Sequence, residues 1–310
     1  MIFEIDEQII AKLSGSELSD VICCIMKNNH YVLCTPKVHQ YIEDAIVEHA
    51  STTYKSIFYE SSMFTPTTQL KQFLPTLDLS GFSKKQISVL VDSPSLLLVE
   101  NEVNEWPVYC EMIRRYAKYQ RDPFHNIFML LNRATDRTLK ARNGGGYGQC
   151  IQIIEFLNAR EYEGVLKYKI CVLFDRDTDD NHTFDSNKNA LFQFLCHKEA
   201  KQMKDEDVYS LQQASEYTWH MWYKRAIENY FLDEVYESNG VDVSELKNSL
   251  NRDYYKICEE NIPTYHKDLL PKLVSGMSRE KFEQNLQVFA TSVGDISELR
   301  LFLLKLVRIL

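Results

Sequence analysis

The stretch Tyr168-Lys169-Ile170-Cys171-Val172-Leu173-Phe174-Asp175-Arg176-Asp177 decides the fold. A short, nearly unbroken apolar run of this kind suits a strand covered on both faces in a parallel sheet. It stops at two carboxylates spaced i and i+2. An earlier run, Ser95-Leu96-Leu97-Leu98-Val99, stops in the same way at Glu100. Ligands of open α/β sheets bind beyond the carboxyl ends of the strands. If the two strands are neighbours, Glu100, Asp175 and Asp177 therefore converge on one edge. Hard oxygen ligands so placed suit Mg2+ or Mn2+.

Working outward, Asn126-Ile127-Phe128-Met129-Leu130-Leu131 reads as another buried strand, followed by a polar, basic connection. Gly144-Gly145-Gly146-Tyr147-Gly148 opens a helix carrying Ile151, Ile154, Phe156 and Leu157. A helix from about Lys188 to Lys204 precedes Val208-Tyr209-Ser210-Leu211, a weaker fourth strand. This alternation over residues 94–215 predicts an open, doubly wound parallel sheet. Residues 1–93 read as a mainly helical docking or regulatory region. In it Ser14-Gly15-Ser16-Glu17 fits a capping box, and Tyr31-Val32-Leu33-Cys34 is a short strand. Residues 216–310 read as a helical C-terminal region whose Leu301–Leu310 stretch is a packing helix. The aromatics Tyr217, Trp219, Trp222 and Tyr223 are expected in the core, with base stacking as the alternative.

Composition narrows the function classes. The chain has 310 residues, 45% of them hydrophobic, with only 10 Gly and 8 Pro, which excludes a disordered or collagenous protein. No apolar run reaches membrane-spanning length, and residues 1–10 do not form a secretory leader. The eight cysteines are scattered without a CxxC pair, as expected of reduced thiols in a cytoplasmic protein. A net charge of −9 disfavours broad binding to duplex nucleic acid. One basic belt interrupts the acidity: Arg114, Arg115, Lys118, Arg121, Arg133, Arg137, Lys140 and Arg142. It is a solvated face or, beside a metal site, a phosphate-collecting one.

Other meanings of the acidic motif fit less well. A haloacid-dehalogenase phosphatase wants a hydroxyl residue where Asp179 stands. An EF-hand wants Gly and Glu where Asp180 and Ser186 stand. A nucleotide-sugar transferase could use the DxD pair but leaves Glu100 unexplained. The glycine cluster is neither GxGxxG, because Ile151 lies three beyond Gly148, nor a P-loop. Its amides, from Gly144, Gly145 and Gly146, could approach a phosphate with Arg142 beside them; a flexible turn is the equal alternative.

Strand–Glu, a glycine-containing connection and strand–DxD, in that order, resemble a Toprim domain. The block Lys224-Arg225-Ala226-Ile227-Glu228-Asn229-Tyr230 is similar to one that follows the DxD strand in nucleases of the overcoming-lysogenisation-defect (OLD) family and in small Toprim effectors of bacteriophage defence. The likeness covers residues 94–235. It implies a Mg2+- or Mn2+-dependent nuclease in which Glu100, Asp175, Asp177 and Glu228 hold metal, and Lys224 or Arg225 neutralises charge on the scissile phosphate. It also implies a nucleic-acid substrate and, as no Walker motif is present, a separate ABC-type ATPase partner. A homo-oligomer is compatible with it. The alternative is a catalytically weak Toprim scaffold, favoured by Asn104, which stands where the family often has an acid; Glu102 and Glu105 flank it.

Overall fold

The computed structural model describes residues 1–178, 184–211, 215–284 and 286–310. Asp179 and Asp180 of the acidic motif lie outside them. The chain is an α/β protein with two parallel sheets.

The first sheet belongs to the N-terminal region. Strands β1 (Ile2–Glu4), β2 (Tyr31–Leu33) and β3 (Thr76–Asp78) pair in parallel in the order β2-β1-β3. Helices make up most of this region, and of its strands only β2 was expected: the other two, of three residues each, are too short to carry a readable alternation. Helices fill the connections. α1 (Gly15–Lys27) starts at the capping box, with Ser14 accepting from the Glu17 amide and Glu17 accepting from that of Ser14. α2 (Pro36–His49) begins on Pro36 behind its Thr35 cap. Phe3, Ile9, Ile22, Ile25, Val32 and Ile46 make a core of their own.

The second sheet holds β4 (Ser95–Val99), β5 (Leu139–Asn143), β6 (Ile170–Phe174) and β7 (Thr218–Met221) in the order β5-β4-β6-β7, all parallel. The strands expected to be neighbours are hydrogen-bonded, with Leu96 opposite Ile170 and Leu98 opposite Val172. Every residue of β4 and β6 is buried, as their apolar runs require.

Three sequence expectations are corrected. Asn126–Leu131 is not a strand but part of helix α4 (His125–Thr135), which follows helix α3 (Glu102–Lys118). Its buried residues Ile127, Phe128, Leu131 and Ala134 follow helical spacing. The true second strand, β5, lies in the stretch read as a basic connection. Val208–Leu211 forms no strand; the fourth strand sits inside the aromatic block, where Trp219 and Trp222 are core residues.

Helices α5 (Tyr147–Arg160) and α6 (Ser186–Cys196) follow β5 and β6. The region after 216 is not purely helical, since it supplies β7 and the hairpin β8 (Val288–Thr291) with β9 (Gly294–Ser297). Nor is it a separate body. Helix α7 (Glu298–Val307) is buried at every residue but Arg300, and one continuous core joins Leu97, Val172, Trp219, Phe302 and Leu304. Among the described residues no helix is long and apolar enough to cross a membrane.

Candidate functional site

At the carboxyl edge of the second sheet, Glu100 follows β4, and Asp175 and Asp177 follow β6. Glu228 arrives on a turn of 3-10 helix, Ile227–Tyr230, and is buried. Its Oε1 accepts from the Tyr265 hydroxyl at 3.1 Å, and its backbone carbonyl accepts from that of Tyr236 at 2.8 Å. A fifth carboxylate joins them. Glu105 stands in the apolar register of α3 with Val108, Tyr109 and Met112, so helical geometry carries it inward. It accepts from the Asn101 amide at 3.0 Å and the Tyr109 hydroxyl at 3.1 Å.

These acids feel one another. Burial, then Glu228, Glu105, Asp177 and Glu100 in that order, push the Asp175 carboxyl well above its usual range. Burial, with Glu228 adding repulsion, raises Glu105 to about 7. Burial raises Glu228 as well, against the pull of Lys267. Lys267 is the cation that faces the group. Partial burial works against its charge, but Glu228, Glu100, Asp175 and Glu105 outweigh this and raise its pKa.

The DxD turn is held from below by another lysine. Lys188 is almost fully buried on α6, and its Nζ donates to the carbonyls of Asp175, at 2.8 Å, and Arg176. It lies 3.9 Å from Asp177 Oδ2 and 4.5 Å from the centre of the Tyr147 ring. Burial lowers its pKa to about 8, against the attraction of Asp177 and Asp175. The Tyr147 hydroxyl contacts the Asp177 carboxylate and the Asp175 carbonyl, the latter at 3.0 Å. Asp177 takes a left-handed conformation, φ +56°, which Asp tolerates better than most residues. Its amide donates to the Arg225 carbonyl at 3.0 Å, so the Lys-Arg block meets the DxD turn through its backbone.

Three cations singled out in the sequence have partners of their own. Lys224 is buried and its ammonium pairs with Asp253 at 2.8 Å, a structural tie. The guanidinium of Arg225 donates to the Tyr254 carbonyl at 3.4 Å. Arg142 reaches Glu161, just past the far end of α5, at 3.8 Å in an exposed pair. The glycines do sit at the edge. Gly144 donates to the Val99 carbonyl at 2.7 Å, and a Cβ there would meet Leu98 Cγ at 3.1 Å and Val99 O at 3.2 Å. Gly145 has φ +60°, and Gly146 caps α5 with no side chain bonded to its first-turn amides.

Comparison with known proteins leaves this geometry to speak for itself. No family model, curated protein or solved structure matches the chain.

Mg2+ and Mn2+ take oxygen ligands, and every acid at the edge offers them. The mutual repulsion that raises Asp175 is the kind a dication removes. By donor class and charge the group fits such an ion. Among the described residues, however, no three His, Cys, Asp or Glu side chains are already grouped closely enough to hold one. Glu105 was noted in the sequence only beside Asn104, and Lys188 and Lys267 were missed. The first two carried a signal: each is a charged residue in the apolar register of its helix.

Proposed function

We propose that this chain is a metal-dependent nuclease that hydrolyses phosphodiester bonds in DNA or RNA, tRNA included. One observation carries the reading: five carboxylates from three segments of the chain, 100–105, 175–177 and 227–230, interact at the carboxyl edge of a parallel sheet, faced by Lys267. A fold gains no stability from concentrating acids in this way, with Glu105 and Glu228 buried among them, so a bound cation is the natural reason for it. Glu100, Asp175, Asp177 and Glu228 would hold Mg2+ or Mn2+, with Glu105 in the place that Asn104 leaves unfilled. Bound there, the ion supplies positive charge to the phosphate and readies a water for attack.

The remaining work falls to the chain's own residues. Lys267, rather than Lys224, neutralises charge building on the scissile phosphate. The first-turn amides of α5 receive a phosphate oxygen. Tyr147 and Lys188 fix the DxD turn. The likeness to Toprim nucleases of the OLD family extends the proposal to a cytoplasmic effector of phage defence controlled by a separate ABC-type ATPase.

A second reading, a Toprim scaffold without activity, draws on the absence of a close ligand trio among the described residues. The deciding experiment is a panel of DNA, total RNA and tRNA in Mg2+, Mn2+ or EDTA, with and without the genomically adjacent ATPase. Cleavage that needs metal and is lost in Glu100→Ala supports the nuclease. A panel with no such cleavage supports the scaffold.

A further inference from the structure

A second feature lies against the same turn. Arg176 stands between the two aspartates of the turn. There it is buried, with Nε donating to the Trp222 carbonyl at 3.2 Å and a terminal nitrogen to the Tyr209 hydroxyl at 2.7 Å. It forms one wall of a cavity of about 180 Å³. Phe184, Phe192, Met203 and Met221 line the interior. The two phenylalanine rings meet edge to face, their centres 5.6 Å apart. Lys201 and Lys204 stand at the rim, their ammonium groups in exposed pairs with Glu199 at 2.7 Å and Glu206 at 3.6 Å. Pairs this exposed contribute little and exchange readily for another anion.

An aromatic and thioether interior, a rim that offers two exposed lysines beside Asp205 and a place one residue from both aspartates describe a particular occupant. Flat π surfaces are held by stacking and sulfur contacts, and phosphates by lysines. We propose that this cavity takes an unpaired nucleobase of the substrate strand, with its phosphate at Lys201 and Lys204. The strand then passes around the DxD turn, so that cleavage falls beside a nucleotide that has left its stack. The inference rests on the nuclease reading and names what that reading leaves open: the site selects single-stranded or extruded nucleotides.

The test uses the full chain in EDTA, which separates base binding from metal and from cleavage. Titration calorimetry compares AMP, GMP, CMP and UMP with ribose 5-phosphate. Ala200→Trp fills the cavity from its wall, and Lys204→Glu reverses the rim charge on an exposed side chain. Expected is binding of at least one mononucleotide that ribose 5-phosphate does not share, weakened about tenfold in both variants. Melting curves check folding; if Ala200→Trp is unfolded, Lys204→Glu carries the comparison. Absence of mononucleotide binding, equal binding of ribose 5-phosphate, or unchanged binding in a folded variant overturns the proposal. Metal-dependent cleavage alongside any of those results leaves the nuclease reading standing. Base-dependent binding without any cleavage keeps the pocket and removes the nuclease.

Discussion

The Tyr265 hydroxyl donates to Glu228 Oε1 at 3.1 Å, joining side chains 37 residues apart and fixing an acid that sequence distance separates from the DxD turn. Glu228→Gln keeps an acceptor for Tyr265 and removes one negative charge. The melting temperature should hold or rise, because burial and Glu100 already disfavour the ionised form. Metal-dependent cleavage should fall by about 100-fold or more. Retained cleavage in a folded Glu228→Gln protein would remove Glu228 from the mechanism.

Metal should stabilise the fold through the same acids. Mg2+ or Mn2+ is expected to raise the melting temperature and EDTA to reverse the rise, by mass action on the native state. Asp175→Asn should abolish that response. In EDTA it should itself melt higher than the parent, by roughly 2–4 °C for each kcal/mol of repulsion relieved. Differential scanning fluorimetry reads both, and an unchanged metal response in Asp175→Asn counts against the site.

Tyr147→Phe deletes only the hydroxyl that touches Asp177 and the Asp175 carbonyl. Its ring still lies beneath Lys188, so stability should move little. If the hydroxyl positions Asp177, kcat should fall about tenfold while KM holds, since binding and turnover separate when only the reacting geometry is disturbed. An equal change in both parameters points to substrate contact instead.

Two buried lysines set a pH dependence of stability away from the acidic edge. Burial lowers both Lys169 and Lys305 to about 7 from their usual 10.5. The unfolded chain therefore binds more protons than the native one between pH 7 and 10.5. Stability should rise with pH across that window, each lysine adding a slope of up to about 1.4 kcal/mol per unit. Urea titrations at several pH values check this. Lys305→Met should flatten the rise by up to about 1.4 kcal/mol per pH unit; an unaltered slope would show that Lys305 does not titrate there.

The C-terminal helix is core, so damage to it should unfold the sheet as well. Leu304→Ala deletes a fully buried side chain and should cost about 2–5 kcal/mol. Tryptophan emission from Trp219 on β7 and far-ultraviolet dichroism should report the same midpoint. Separate midpoints would mean that residues after 216 fold on their own.

How far the sequence could be read depended on where each segment lies. β4 and β6 were legible because burial on both faces makes them continuously apolar. β5 was not, because it lies at an edge and alternates Leu139 and Ala141 with Lys140 and Arg142. The apolar stretch of α4 misled because short runs look alike in strand and helix, and only the spacing of Ile127, Phe128 and Leu131 separates them. Glu100, Asp175 and Asp177 were legible as strand ends, whereas Lys267 has no local pattern and is brought to the acids by tertiary folding alone. Glu105 and Lys188 were readable in principle. A charged residue in an apolar register repeats in α7, where Glu298 and Lys305 are both buried. Such a residue marks a position whose helix must carry a polar group inward.

The burial of nearly all of α7 also has a consequence for how the protein is made. A ribosome releases Glu100 and Asp175 long before Glu298–Val307, and until that last helix emerges the layer beneath β4 and β6 lacks Leu301, Phe302 and Leu304. Glu228 and Lys267 likewise leave the exit tunnel after the DxD turn. A nascent chain stalled before that helix therefore carries the acidic motif without the frame that aligns it, and the edge is assembled only once Glu298–Val307 has been made.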